Sequence, residues 1–293
     1  FALMAMALTL GSCSDNENGI GGETSQYITV STSIGNMTRV ATDEKGGQTF
    51  EEGDEISVYA WTGDATVAPE TLERVVNNAI NKLTNGSWIS NPQMLWKNNR
   101  DKHYFIGVYP TAAISDLSAG EYTFDETKQV ESDLLVAVNK DGLSYNVDEP
   151  QTVPLTFTHV MAKLAVNLTY KNQWGGIPTV EKVVVGNAAK EATINYLTKV
   201  VTPSTTAKED FSLPEITENT KYVSVIIPQE EVTQLTIVIG GKNFVYDNGT
   251  PFKLESGKIT TVNLEVGRDE IKLGDVKITN WEDGSTFSGE ALN

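Results

Sequence analysis

The 293-residue chain is poor in the residues that build crosslinks and reactive sites, with one cysteine, two histidines and four arginines. A single cysteine excludes an internal disulfide, so the folded chain must depend on packed cores. The 39 acidic residues outnumber the 22 basic ones, and the net charge of −17 argues against nucleic acid as a partner. The sequence shows no zinc-ligand spacing, nucleophile elbow or phosphate-binding loop. We therefore predict no metal, no cofactor and no enzymatic activity.

The first thirteen residues combine a short apolar stretch with the cysteine, Cys13. The stretch is too short to span a bilayer but has the length of a signal-peptide core. Small residues followed by a cysteine resemble a bacterial lipoprotein signal. We expect 1–12 to be a truncated signal peptide, Cys13 to be lipidated and 13–26 to be a flexible tether. A buried N-terminal strand or helix is the alternative, which the polar segment after Cys13 disfavours.

Alternation of apolar and polar residues continues along the rest of the chain and predicts an all-β fold. A segment from Pro69 to Asn78 is ambiguous, because its proline suits a helix start and its β-branched residues suit a strand. Many short strands without alternating helices favour β-sandwiches. Strands are predicted at 28–34, 55–61, 103–109, 133–138, 153–158, 162–170, 180–185, 222–227, 235–239, 244–246, 259–266 and 275–279.

Glycine-containing sequences between these strands predict tight turns, because glycine and asparagine tolerate positive φ. They are Lys45-Gly-Gly47, Asn85-Gly86, Asp141-Gly142, Gly175-Gly176, Gly240-Gly241 and Asp247-Asn-Gly249. Prolines at 150 and 154 interrupt the strand pattern and predict sandwiches at 27–154 and 155–293. A boundary at 202–207 is the alternative.

A series of short motifs, met in order along most of the chain, carries a resemblance to a known family. They are Met37–Thr42, the segment Thr49-Phe-Glu-Glu-Gly-Asp-Glu-Ile-Ser-Val-Tyr-Ala60, Trp88, Leu95-Trp96, Tyr104-Phe-Ile-Gly-Val-Tyr-Pro110, Ser132-Asp-Leu-Leu-Val-Ala137, Leu155-Thr-Phe-Thr-His-Val-Met-Ala-Lys-Leu164, Ile227-Pro-Gln229, Gly257-Lys258 and Ile278-Thr-Asn-Trp281. Each motif alone is weak, but their order is specific. On these residues the chain resembles the fimbrillin-like (Mfa-like) lipoproteins of Bacteroidales, which are subunits of type V pili.

The resemblance implies two transthyretin-like β-sandwich domains in tandem. It implies a lipoprotein precursor exposed on the outer membrane, which becomes part of a fimbrium. It also implies that an arginine-specific protease removes the N-terminal strand and that a strand of another pilin subunit fills the vacated groove. A sandwich that lacks one strand exposes apolar surface and unpaired backbone groups, which another strand can cover. Such head-to-tail contacts propagate into a filament.

The segment 27–36 suits the removable strand, because it alternates and is rich in β-branched residues. Arg39 follows it closely, so Arg39 and Val40 form the candidate cleavage site; an ordinary solvated cation is the alternative reading of Arg39. Val40 departs from the small residue that often follows the cut in the family. The polar tail 282–293 is not an obvious donor strand. Either Ile271 to Thr279 is the donor, or the chain is a tip or anchor subunit and not a stalk subunit.

Aromatic residues keep a second function open. Trp174 precedes Gly175-Gly176 in a predicted loop and is the candidate ligand-contacting aromatic, whereas Trp88, Trp96 and Trp281 are predicted to fill cores. Both histidines are also expected to pack within the fold. We therefore expect the chain to be a structural or adhesive pilus subunit assembled by protease-triggered strand exchange. The alternative is a non-polymerising outer-membrane lipoprotein that binds a host protein or glycan.

Overall fold

The computed structural model describes residues 26–35, 49–146, 148–149 and 151–281. Over these residues the chain forms nineteen strands and two short 3-10 turns, Thr71–Glu73 and Asn172–Trp174, which confirms the all-β prediction. Within these ranges no helix has the length and apolar character needed to cross a membrane. The strands are β1 Thr29–Ile34, β2 Glu55–Thr62, β3 Arg74–Thr84, β4 Ser87–Asn91, β5 His103–Tyr109, β6 Gly120–Thr123, β7 Leu135–Leu143, β8 Thr152–His159, β9 Ala162–Tyr170, β10 Val180–Ala189, β11 Glu191–Asn195, β12 Val200–Pro203, β13 Lys208–Leu213, β14 Glu215–Thr217, β15 Lys221–Ile226, β16 Gln229–Ile239, β17 Lys242–Leu254, β18 Lys258–Val266 and β19 Ile271–Asn280.

The first half of the chain builds a seven-stranded sheet in the order β1-β8-β7-β5-β2-β3-β4. β1 is parallel to β8, and the other pairs of this sheet are antiparallel. The sheet curls until its two outer strands approach each other, since Tyr27 before β1 bridges to Leu95 after β4. Apolar side chains from these strands, among them Ile56, Val58 and Phe105, fill the concave side as one core.

The second half of the chain builds two further sheets, with orders β13-β10-β16-β17 and β14-β15-β9-β18-β19. Their apolar side chains share a single core cluster, as a two-layer sandwich requires. That cluster also contains Tyr59, Trp61 and Ile106 from the first sheet, so the two halves of the chain are packed on common apolar side chains.

A small fourth sheet joins the halves, because β6 pairs with β11 and β11 pairs with β12. The boundary expected between residues 154 and 155 falls within β8, which belongs to the first sheet along its full length. The division of the chain into two domains stays a prediction.

The predicted strands all appear, with ends that differ by up to eight residues, the largest difference being at the end of β17. The ambiguous segment from Pro69 resolves into one 3-10 turn followed by β3, so its second half is a strand and not a helix. Six strands that the alternation did not reveal, β4, β6, β11, β12, β13 and β14, are short, and β14 is exposed along its whole length. Each has three to six residues, and alternation over so few positions is a weak signal, which explains why the pattern missed them.

Two predicted turns are wrong, because both lie within strands. Asp141-Gly142 lies inside β7, where the pairing with β5 shifts register and Gly142 has φ 66°. Asp247-Asn-Gly249 lies inside β17, where the pairing with β16 also shifts. A bulge needs the same positive φ as a turn, so the two are indistinguishable in sequence. Asn85-Gly86 and Gly240-Gly241 form the expected two-residue hairpin turns, all with positive φ. Lys45-Gly-Gly47 lies outside the described residues.

Candidate functional site

The first strand, β1, occupies an edge of the seven-stranded sheet and seals its concave side. Ile28 and Val30 are 2% and 6% exposed, whereas Thr29 and Ser31 between them face solvent. The side chains of Ile28 and Val30 belong to the core of that sheet, and Ile34 packs against it from the end of the strand. The strand therefore contributes part of the core through alternate residues, as a single inserted ribbon would.

One edge of β1 is fully paired. Its six residues run parallel to Thr152–Phe157 of β8, and the next amide, that of Gly35, donates to the Phe157 carbonyl at 2.8 Å. On the outer face, hydroxyl groups pair across the strands, with Thr29 3.1 Å from Thr152 and Ser33 3.2 Å from Thr156.

Among the described residues, the backbone of the other edge of β1 is hydrogen-bonded near its start. The Ile28 amide donates to the Met94 carbonyl at 2.9 Å, and the Trp96 amide donates to the Gln26 carbonyl at 3.0 Å. Further along, the indole N–H of Trp88 on β4 donates to the Thr32 hydroxyl at 3.0 Å. Apart from these contacts, the strand pairing of β1 among the described residues is to β8 alone. We call this position, bounded by β8, the segment 94–96 and Trp88, the β1 slot.

A buried histidine, His103, holds in place the segment 94–96, which is hydrogen-bonded to the start of β1. The Lys97 amide donates to Nε2 of His103 at 3.0 Å, so Nδ1 carries the proton and faces the Asp101 carbonyl 3.1 Å away. The His103 side chain is fully buried, and its ring lies edge-on to Trp96 with centroids 5.0 Å apart. Burial lowers the pKa of His103, because the charged imidazolium would lose its hydration.

An aromatic cluster supports the far end of the slot. Phe50 makes edge-to-face contacts with Trp88, Tyr109 and Phe157, with ring centroids 5.3, 5.4 and 5.1 Å apart. Trp88 and Phe157 also contact β1 directly, through the Thr32 hydroxyl and through strand pairing. The cluster therefore holds these two side chains in place whether or not they touch β1.

The second region that the motifs bring together is a buried pocket around Trp281, just after β19. The Trp281 ring is stacked on His159 with centroids 4.2 Å apart, and Nδ1 of His159 lies 2.7 Å from an Asp133 oxygen. The ammonium of Lys163 lies 4.3 Å from the centre of the Trp281 ring. Three motifs thus converge here, the last of them more than a hundred residues beyond the other two, and we call the group of Asp133, His159, Lys163 and Trp281 the Trp281 pocket.

Lys163 is an unusual member of this pocket because only 3% of it is exposed. Burial lowers its pKa to about 8, and the Asp133 carboxylate acts in the opposite direction. The indole N–H of Trp281 has no hydrogen-bond partner among the described residues. Both features cost stability, so the stack of rings and the cation over the indole must offset them.

β19 connects this pocket to the opposite end of the sandwich. Among the described strands it pairs with β18 alone, at the edge of its sheet. Most of its residues are exposed, including Val276 and Ile278 at 37% and 39%. At its start, the turn 267–270 is fastened by Lys242, which donates to the Arg268 carbonyl at 2.8 Å. At its end, the Trp281 amide donates to the Gly257 carbonyl at 3.2 Å.

Trp174, the candidate ligand-contacting aromatic, is half-buried beside that same turn. Its indole N–H donates to the Val266 carbonyl at 2.9 Å, and its ring lies edge-on to Phe244 with centroids 5.8 Å apart. The Arg268 guanidinium lies over the ring, 5.7 Å from its centre. These contacts make Trp174 a support for the β18–β19 turn, and a role in binding a ligand stays a prediction.

The remaining candidate residues divide between core and undescribed segments. Trp61, Trp96 and Trp281 are buried as core residues, and Trp88 is partly buried against the first core. The fully buried His103 and the side chain of His159, 7% exposed, are also packed as expected. Cys13, Arg39 and Val40 lie outside the described residues. Within the part of the chain that is described, no group of three or more acidic, histidine or cysteine side chains is arranged to hold a metal ion.

Among the described arginines, accessibility differs sharply. Arg74 is 8% exposed and donates to the carbonyls of Ile114 and Ser115 at 2.6 and 2.5 Å. Arg100 and Arg268 are exposed. The backbone around Arg100 is folded into a tight turn, since the Arg100 amide donates to Oδ1 of Asn98 at 2.8 Å.

Comparison with known proteins places these features in context. A family model described as fimbrillin-like matches residues 38–281. A candidate cell adhesion protein from Bacteroides uniformis has a similar structure, with 18% identity, a TM-score of 0.61, and coverage of 88% of this chain and 100% of its own. A second one, from Bacteroides ovatus, has 17% identity and a TM-score of 0.65, with coverage of 87% and 97%.

A third structure is the tip fimbrial protein Mfa3 from Porphyromonas gingivalis, truncated at its C-terminus. It shares 10% identity and a TM-score of 0.50, over 79% of this chain and 95% of that one. At these identities the likeness is one of fold. No curated protein sequence matches the chain.

Proposed function

Since this chain belongs to the fimbrillin-like family, we propose that it is a cell-surface subunit that joins a fimbrium by exchange of the strand in the β1 slot. The observation that carries the proposal is the position of β1. It is an edge strand, it lies near the start of the chain, and it fills a core through Ile28 and Val30. A strand in that position can be replaced by another strand without opening the interior of the sheet.

The proposal includes the way in which the slot becomes vacant. Arg39 stands five positions after the end of β1, so a cut between Arg39 and Val40 by an arginine-specific protease would separate β1 from the rest of the chain. The two hydrogen bonds to the segment 94–96 and the pairing with β8 would then be the backbone contacts that retain it. Loss of β1 would expose the core side chains that Ile28 and Val30 cover. It would also leave one edge of β8 unpaired.

The proposed donor is β19 of a second copy. Val276 and Ile278 alternate along it as Ile28 and Val30 do along β1, and both are partly exposed at a sheet edge. Transfer into the slot would bury these two side chains and pair a free edge, which is the gain that drives strand addition.

The lipid anchor and the location complete the proposal. A lipidated Cys13 would hold the precursor at the outer membrane, with β1 beginning sixteen residues after it. Cleavage after Arg39 would release the subunit from that anchor. A structural or adhesive role of this kind requires no catalytic group in the chain, and we propose that the protein is not an enzyme.

A variant at the predicted cleavage site tests the proposal. We expect an arginine-specific protease to convert the purified precursor into a shortened chain that forms ladders on a gel and filaments by electron microscopy. Arg39→Ala should block both the cleavage and the ladders. Arg100→Ala is the matched control, because Arg100 is exposed but lies in the Asn98 turn. Assembly of the Arg39→Ala precursor at the wild-type rate would contradict the proposal.

A non-polymerising lipoprotein that binds a host protein or glycan is the second candidate, favoured by the way β19 is fastened. The turn at its start and Trp281 at its end are both held, which opposes its release as a donor. This candidate predicts that the protein cut after Arg39 stays monomeric in size-exclusion chromatography. It also predicts that the uncut protein binds carbohydrate and that Trp174→Ala weakens the binding.

A further inference from the structure

The β1 slot carries a polar contact that a purely apolar groove would lack. Thr32 follows Val30 by two residues, so its side chain occupies the next position on the same side of the strand as Ile28 and Val30. It is half-buried, and its hydroxyl accepts a hydrogen bond from the indole N–H of Trp88 at 3.0 Å. The hydrogen-bond donor lies on β4, which is on the side of β1 opposite to β8.

Trp88 is held in the orientation that this contact needs. It lies on β4 opposite Leu83 of β3, and its ring is edge-on to Phe50 at an interplanar angle of 84°. Neither contact involves β1, so the indole N–H of Trp88 points into the β1 slot before any strand binds there. A donor fixed in advance costs little ordering entropy when its acceptor binds.

We propose that Trp88 is a specificity-determining residue of the β1 slot, which selects strands that carry a hydrogen-bond acceptor two positions after two alternating apolar residues. In β1 the pattern is Ile28, Val30 and Thr32. This inference rests on the proposed function, because it states which strands the slot accepts once strand exchange occurs.

The physical reason for selection is the free energy lost when the indole N–H of Trp88 is buried without a hydrogen-bond acceptor. A strand with an apolar residue at the Thr32 position would cover the Trp88 N–H without accepting from it, and the lost bond would lower affinity. A strand with threonine, serine or asparagine there would supply an oxygen. The contact therefore discriminates against strands that fit the apolar positions alone, as recognition of a hydroxyl discriminates against its apolar isostere.

The donor proposed above carries the same pattern. In β19 the order is Val276, Ile278 and Asn280, in which the asparagine side chain can accept a hydrogen bond. The partner of this slot is thus a second copy of the chain, presenting these three residues at the positions of Ile28, Val30 and Thr32.

Peptides offered to the cut protein test the inference. The probes are the peptide 26–35, its Thr32→Val form and its Thr32→Asn form, added to protein cleaved after Arg39 and freed of its N-terminal fragment. By fluorescence anisotropy we expect the Thr32→Val peptide to bind roughly three- to tenfold more weakly than the native peptide. The Thr32→Asn peptide should bind within about twofold of the native one.

The matched control is the Trp88→Phe protein, which keeps the aromatic packing but has no N–H to satisfy. On that protein the native and Thr32→Val peptides should bind equally. Equal binding of both peptides to the wild-type protein, or a Thr32→Val penalty that persists on Trp88→Phe, would overturn the inference.

A second measurement separates this inference from the proposed function. If the native peptide does not bind the cut protein, the proposed strand exchange fails, but the contact can still be tested in the uncut chain. There the denaturation midpoints of Thr32→Val, Trp88→Phe and the double variant form a cycle. A double variant no less stable than Trp88→Phe supports the contact, and fully additive losses overturn it.

Discussion

The imidazole of His159 and the indole of Trp281 are stacked face to face, with centroids 4.2 Å apart and planes 8° from parallel. His159 is the last residue of β8, which is the last strand of the first sheet in chain order. Trp281 directly follows β19, the last of the described strands. One ring contact therefore joins the last strand of the first sheet to the last described residue of the chain. It also fixes where the C-terminal strand stops.

Truncation of the indole should loosen β19. We expect Trp281→Ala to lower the free energy of unfolding by about 3–5 kcal/mol, since a large buried side chain is lost. Trp281→Phe should cost less, because a ring still stacks on His159. Chemical denaturation measures the loss, and amide hydrogen exchange across β19 should show faster opening in Trp281→Ala than in Trp281→Phe. Equal exchange in the two variants would show that the stack does not hold the strand.

Lys163 should make stability rise in mild alkali. Its pKa in the folded protein is about 8, below the ordinary value of 10.5, so the unfolded chain binds more protons between these values. Its contribution to stability is therefore least favourable below pH 8 and improves as the pH rises towards 10.5. We expect the gain from pH 8 to pH 10 to be about 2 kcal/mol.

The control for this effect is Lys163→Met, which keeps the side-chain length and removes the charge. The difference in unfolding free energy between wild type and Lys163→Met should depend on pH in this window, whereas other titrating groups cancel in the comparison. A constant difference from pH 7 to pH 10 would mean that Lys163 titrates near its ordinary value.

His103 should make the protein sensitive to acid. Its pKa in the folded state is lowered by burial from 6.5, so the unfolded state takes up the proton first. The favourable contribution is complete above pH 6.5 and is lost as the pH falls towards the folded-state pKa. Protonation would also place a second donor against the Lys97 amide, so the protection of the Ile28 and Trp96 amides, taken relative to the intrinsic exchange rate at each pH, should fall in acid.

The comparison for His103 is His103→Gln, which has hydrogen-bonding groups but does not titrate near neutrality. Thermal denaturation between pH 7 and pH 5 should give a smaller loss of Tm in His103→Gln than in the wild-type protein. A parallel decline in the two proteins would assign the acid sensitivity to other groups.

Replacement of the cysteine tests the proposed anchor. Cys13→Ser should move the protein from the membrane fraction to the soluble fraction, because serine cannot carry the thioether-linked lipid. Ser14→Ala, a change next to the same position, should leave the protein with the membranes. Retention of Cys13→Ser in the membrane fraction to the wild-type extent would exclude lipidation at this residue as the anchor.

The strands with strong alternation could be predicted from sequence because one face of each is buried. Ile28 to Ile34 and Val153 to Thr158 are examples, in which the apolar positions of the pattern are the core positions of the structure. The turn residues were less decisive. Asn85-Gly86 is a hairpin turn, but Asp141-Gly142 is a bulge, and positive φ serves both.

The pairing of β1 could not be read from the sequence in the same way. Alternation shows that a segment is a half-buried strand, but it does not state which strand lies beside it. The parallel register of Thr29 with Thr152 joins residues 123 positions apart. The hydrogen bond from Trp88 to Thr32 has no signal in the local sequence either, because the residues around Trp88 do not show which strand its indole N–H faces.

What the sequence determined by itself is therefore the kind of structure: an all-β chain, its family through motifs in order, and a negatively charged surface without metal-site spacing. Local periodicity and composition suffice for these features, because they depend on each segment alone. Only the tertiary structure decided that β1 lies at an edge and that His103 positions the segment 94–96 beside it. The contacts of Trp281 with His159 and Lys163 were also decided there. These contacts arise from long-range packing, in which the burial of each side chain depends on residues far away in the chain.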